Sequence, residues 1–216
     1  MRTVFRSLPL ALTLLLAGCS GAYYQAMEKI GFPKRDIFVD RVEKAQESQT
    51  KAKEQFASAL EHFLIVTKAD GSDLQRKYDE MSREFTRSES RAKDVHERIA
   101  AVEDVSTALF REWKQELGQY TDSTLRRDSE LQLEATHRRY DALMALMQRA
   151  ASRMDPVLAT FRDQVLYLKH NLNARALASL DSTHRELEAD ISKLIADMEN
   201  SIREAQSFIK EMKLGP

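Results

Sequence analysis

Apolar residues recur at alternating spacings of three and four along almost the whole chain, and that pattern restricts the fold more than any other feature. The first run is Phe38, Val42, Ala45, Gln49, Ala52, Phe56, Ala59, Phe63 and Val66. The second passes through Leu74, Tyr78, Met81, Phe85, Ser88, Ala92, Val95, Ile99, Val102, Ser106, Leu109 and Trp113. A third resumes at Leu133, Thr136 and Tyr140 and continues through Met154 and Phe161 to Leu172, and a fourth covers Leu177 to Met212. A helix displays such residues as one stripe that it cannot bury alone, so the four segments must share a core. The expected fold is therefore all-α: an elongated antiparallel bundle of coiled-coil hairpins, one domain over residues 34–214. Only 6 Gly and 4 Pro in 216 residues leave few places for the helices to break.

Those places are legible. "KADGSD" suits a turn, with Ser72 and Gln75 spaced as a capping box for the next helix. "GQYTDST" is a second turn or a kink, and "HNLNAR" holds two Asn, which favour helix ends. Pro156 falls where the seam slips register, which predicts a kink or a restart capped by Asp155. Segment lengths read short, long, long, short, as for two hairpins joined near Gly118 to Thr124.

The first residues carry a different pattern. Arg2 and Arg6 form a basic start, Leu8 to Leu16 a short apolar core, and Ala17 and Gly18 precede Cys19. The apolar core is about half of the ~20 residues a helix needs to cross a bilayer. "Leu16-Ala17-Gly18-Cys19" resembles the lipobox of bacterial lipoproteins, which implies a signal peptide over 1–18, cleavage, and lipid on the Cys19 thiol. One acyl chain binds membranes marginally, but each buried methylene adds ~0.8 kcal/mol, so several chains hold a protein there permanently. Cys19 is the sole cysteine, so nothing remains to mispair in an oxidising compartment. Ser20 is not the Asp associated with inner-membrane retention in that class, so the resemblance implies the inner leaflet of an outer membrane, facing the periplasm. Between Cys19 and Pro33, Tyr23, Tyr24, Met27 and Ile30 share one side of a short juxtamembrane helix. That side rests either on the headgroups or on the bundle.

Catalytic patterns are missing. None of His62, His96, His137, His170 and His184 stands in a His-Glu-x-x-His arrangement or beside a cysteine ligand, so no metal site is expected. Carboxylates alternate with Lys and Arg as on solvated helix faces, and there is no Gly-rich phosphate loop. Arg126-Arg127 and Arg138-Arg139 lack interleaved aromatics, and a net charge of −1 gives no reason to expect nucleic acid as a partner. The chain reads as a non-enzyme without a cofactor beyond the covalent lipid.

Two stretches exceed what packing demands, and both also suit the sealing of bundle ends. "ALFREWKQELGQY" places Phe110, Trp113 and Tyr120 near a hairpin end. "VLYLKHNLNARALASL" mixes an apolar run with Lys169, His170, Asn171, Asn173 and Arg175. Aromatic and Arg residues dominate interaction hot spots, so these are the candidate partner-binding residues, for another envelope protein or a second copy. His184 on the fourth seam, with the Met144, Met147 and Met154 stripe, suggests as alternative a carrier of an apolar ligand, lipid or haem, between the helices. A further alternative is an oligomeric structural spacer, with a mass that depends on concentration.

"YYQAMEKIGFPKRDIFVDRVEKAQ", "RIAAVEDVSTALFREWKQEL" and "DQVLYLKHNLNARALASL" together resemble a family of small Gram-negative outer-membrane lipoproteins built on an all-helical domain of unknown function, over roughly residues 22–212. The resemblance implies an envelope setting and a helical fold, and supplies no activity or site residue.

Overall fold

The computed structural model describes residues 19–67, 73–171 and 174–214, the side chains of 19–22 and 174–184 lying outside that description. Among the described residues there are no strands. Helix α1 spans Cys19–Lys29, α2 Lys34–Thr67, α3 Leu74–Glu116, α4 Ser123–His170 and α5 Ala174–Leu214. A single 3₁₀ turn, Leu117–Gln119, follows α3. Each of α2 and α4 packs against both α3 and α5, while the diagonal backbones α2–α4 and α3–α5 stay apart, with side chains such as Phe38 and Tyr140 meeting across the core. That is an up-down-up-down four-helix bundle. The base is the end where α2 begins, α3 meets α4 and α5 finishes. The opposite end, the tip, holds the α2–α3 and α4–α5 connections. At 1.5 Å per residue the 48 residues of α4 make a rod about 70 Å long.

The seam is the core. Every one of Phe38, Val42, Ala45, Gln49, Ala52, Phe56, Ala59, Phe63 and Val66 is fully buried, as are Val95, Val102, Met147, Met154, Leu194 and Met198 on the other helices. Its middle is narrow, built on Ala45, Ala52, Ala92, Ala150 and Ala205 with Ser88 and Ser201, and this lets the backbones approach. Gln49 lies in that layer. It accepts a hydrogen bond from Ser201 at 2.8 Å, while its Nε2 is the one buried side-chain polar atom without a partner among the described residues. An unsatisfied buried donor costs about 1–3 kcal/mol, whereas replacing both partners with apolar groups of similar shape does not. The pair Gln49→Met with Ser201→Ala is therefore expected to stabilise the bundle by about 1 kcal/mol. A lower urea midpoint for the double variant would contradict this.

The connections follow local chemistry. Asp122 accepts from the Thr124 and Leu125 amides at 2.7 and 3.2 Å, so "GQYTDST" is a turn and not a kink. Asn171 closes α4, its amide donating to Leu168 O and its side chain to Tyr167 O. The predicted capping box at Ser72 lies outside the described residues. Asp73 is the residue preceding α3, at φ 57° and with no side-chain cap bond, while Gln75 bonds Asp79. With 41 residues, α5 is nearly as long as α3, so the last segment is not short: it begins at Ala174, ahead of its first seam residue.

Pro156 neither ends nor restarts α4, which runs on through it. Pro156 and Ser152 are both exposed, and the ring supplies no N–H for the Ser152 carbonyl, so the helix tolerates it at a cost. Pro156→Ala is expected to raise stability by about 1–2 kcal/mol, the restored helical bond outweighing the freedom returned to the unfolded chain. Thermal denaturation gives the sign directly, and an unchanged or lower midpoint would refute the reasoning.

Candidate functional site

The short helix at the N-terminal side is docked, not free. Gly31, at φ +93°, reverses the chain after α1, with Phe32 N–H on Met27 O and Gly31 N–H on Glu28 O at 3.0 Å each. Pro33 follows and opens α2. The reversal folds α1 back over α2 and α3, where Tyr24 joins the core and its hydroxyl donates to Asp104 at 2.6 Å. Burial, then the bond to Asp104, pushes the Tyr24 phenol well above its ordinary range. Lys34, at the α1–α2 junction, donates to Glu28 and to Glu112 at 2.6 Å each and so ties α1, α2 and α3 together. Of the apolar side expected on this helix, Tyr24 is buried and Met27 packs on the core. Tyr23 and Ile30, with Phe32 beyond them, face solvent. Cys19 begins α1 at the flank, about 15 Å from the α1–α2 turn by helix rise, with its side chain outside the described set.

The two candidate partner-binding stretches lie at opposite ends of the rod. At the base, Tyr120 is exposed and Trp113 half-buried, its indole N–H donating to Ser129 Oγ at 2.8 Å. Phe110 is not a surface residue. It is buried against Phe38, Tyr140 and His137, with ring centroids 6.1, 5.3 and 4.7 Å away. At the tip, Lys169 and His170 are exposed and Asn171 is half-buried in its capping role. Asn173, and the side chains of Arg175 and His184, lie outside the described residues. Exposed Leu166, Tyr167 and Ile65 accompany Lys169 at the tip. Spacing alone does not single them out, because Leu166 and Tyr167 sit inside an apolar run whose inward members are Val165 and Leu168.

The base holds a cavity of about 540 Å³. Helices α3 and α4 run on past the start of α2 and the end of α5, so the first turns of α4 lack two of their neighbours. Leu125 and Leu131 stay exposed, and Leu133, Thr136 and Tyr140 are only partly covered although the seam counts them as core. Leu109, Trp113, Ala135, Phe208, Met212 and Leu214 form the apolar lining of the space this leaves. At its rim Arg35 donates to Met212 O, Arg139 pairs with Glu211, and Glu112 is held by Lys34. Glu116 lines it too; the residue is exposed overall, yet partial desolvation of its carboxyl at the cavity wall, then the neighbouring carboxylates Glu112 and Glu28, raise it against the pull of Lys34. The methionines proposed for a ligand groove are elsewhere: Met144, Met147 and Met154 are packed in the core.

No group of His, Cys, Asp and Glu among the described residues could hold a metal ion, and no described helix is long and apolar enough to cross a membrane. The nearest acid–imidazole contacts, His137 with Asp141 at 3.0 Å and His96 with Asp155 at 3.7 Å, are on exposed helix faces.

A single elongated helical bundle with a docked N-terminal helix and an open base is thus the class of protein defined by these features. Residues 23–212 match the family described as "Protein of unknown function (DUF2959)", and the chain belongs to it. No curated protein and no solved structure matches the chain.

Proposed function

We propose that the protein is a non-enzymatic lipoprotein of the cell envelope, anchored through Cys19 in the inner leaflet of an outer membrane and acting as a periplasm-facing scaffold. The observation that carries this reading is α1. It begins at the cysteine itself, is pinned to the bundle by Tyr24 and Lys34, and leaves Tyr23, Ile30 and Phe32 exposed around it. Exposed aromatic and aliphatic residues beside an acyl anchor suit the membrane interface. On this reading the α1 flank faces the bilayer, and the tip, with Leu166, Tyr167 and Lys169, is presented to a protein partner along the rod.

Intact mass of native material tests the anchor: Met1 and residues through Gly18 are expected to be gone and Cys19 to carry acyl groups. A chain that retains Met1 with residue 19 unmodified ends the proposal. Photocrosslinking in cells from position 167 tests the scaffold role. One discrete adduct, lost on Lys169→Glu and not formed from position 120, is the expected result. Equal labelling from both ends would remove the tip from consideration.

A further inference from the structure

The cavity at the base offers mainly apolar surface, and its charges are almost all committed. Both cations at the rim have partners: Arg35 is bonded to the Met212 carbonyl, and Arg139 to Glu211, with Glu204 at 3.9 Å. Two of the carboxylates are likewise engaged, Glu211 by Arg139 and Glu112 by Lys34. Glu116 alone of these has neither hydrogen bond nor ion pair among the described residues, and it lies beside two other carboxylates. An anionic ligand would find no free cation here, and a purely apolar one would leave Glu116 unpaired.

Trp113 supplies the complementary element. It stands one helical turn before Glu116 on α3, so both side chains reach the same space, and the Ser129 bond fixes the edge of its ring. An indole face is the strongest aromatic partner for a cation. The volume falls within the range of small-molecule sites, and a largely apolar wall with a few convergent polar groups is their usual construction.

We propose that this cavity binds an amphiphilic cation, with an apolar chain lying along Leu109, Phe208 and Met212 and its ammonium group held between the Trp113 ring and the Glu116 carboxylate. The raised carboxyl of Glu116 supports this, since a cation at that position relieves the repulsion from Glu112 and Glu28. The site does not depend on lipid at Cys19, so the anchoring proposal and this one stand or fall separately.

Trp113 is the sole tryptophan, so its fluorescence reports on this cavity alone. Purified full-length chain is titrated with dodecyltrimethylammonium, dodecyl sulfate and dodecyl maltoside, each below its micelle concentration. Saturable emission change is expected, with the ammonium acting at roughly fivefold lower concentration than the other two, the size a partly exposed ion pair gives. Glu116→Gln, on an exposed residue and so compatible with folding, should abolish that preference while leaving the maltoside curve in place. Ala135→Phe should fill the cavity and remove all three responses with helicity retained. A response that never saturates, equal midpoints for all three amphiphiles, or an ammonium midpoint unmoved by Glu116→Gln would overturn the assignment.

Discussion

Phe38→Ala should lower stability by about 4 kcal/mol, the largest single loss expected in this bundle. Phe38 is completely buried where all four long helices meet, with Phe110 of α3, Tyr140 of α4 and Phe208 of α5 at ring-centroid distances of 6.1, 5.9 and 5.5 Å. Truncation removes the transfer energy of the ring and leaves a void that three other rings border, and rigid helices cannot collapse into it. Edge-to-face contacts add to the loss beyond the buried area. For a chain of this size the change amounts to a melting point about 8–16 °C lower. The cluster also forms the floor of the bundle just above the base cavity, since Phe208 belongs to both. Phe38→Ala therefore tests whether the open base is structurally continuous with the core. A loss below about 1.5 kcal/mol would mean the helices do collapse there.

Lys34→Met is expected to cost about 2–3 kcal/mol and to release α1. The Lys34 side chain is only 5% exposed and faces Glu28 and Glu112, whose side chains are 40% and 30% exposed. Removing one partner of a buried pair typically costs about 3–5 kcal/mol, and hydration of these two carboxylates brings the figure down. Burial pulls the Lys34 amine down, but the bonds to Glu112 and Glu28 outweigh it and hold the proton above the ordinary 10.5. A cation whose folded value is raised contributes stability in full below its unfolded value and loses it as pH climbs through the folded one. The stability gap between wild type and Lys34→Met should thus be constant near neutrality and narrow above about pH 10.5. Urea titrations of both proteins at pH 8 and pH 11 measure it, and a gap that does not shrink would remove the ion-pair explanation. Hydrogen exchange in residues 19–29 should quicken in the variant, because Tyr24 and Asp104 would be left to hold α1 unaided.

Much of the fold was legible because a heptad is a purely local code. Phe38 to Val66 declared their burial by spacing alone, and all are buried. The segments "GQYTDST" and "HNLNAR" likewise marked the two ends of α4, where the side chains of Asp122 and Asn171 bond nearby backbone. Where the reading failed, the deciding atoms were far apart in sequence. Phe110 looked like an exposed anchor, but the rings that cover it come from positions 38 and 140. Leu133 and Tyr140 kept perfect seam spacing and are only partly covered, since spacing states which face seeks a partner and not whether one reaches it. Pro156 broke the local rule and the helix went through regardless, its neighbours holding α4 in place.

By itself, then, the order of residues determined that the chain is helical, most of the inward faces and the turn between α3 and α4, because each depends on groups within a few positions of one another. Tertiary structure alone decided that the α3–α4 hairpin overshoots its neighbours, that α1 folds back onto the flank, and that Trp113 and Glu116 share a cavity. Those outcomes rest on the relative lengths and offsets of helices brought together from opposite ends of the chain, and no local pattern encodes an offset.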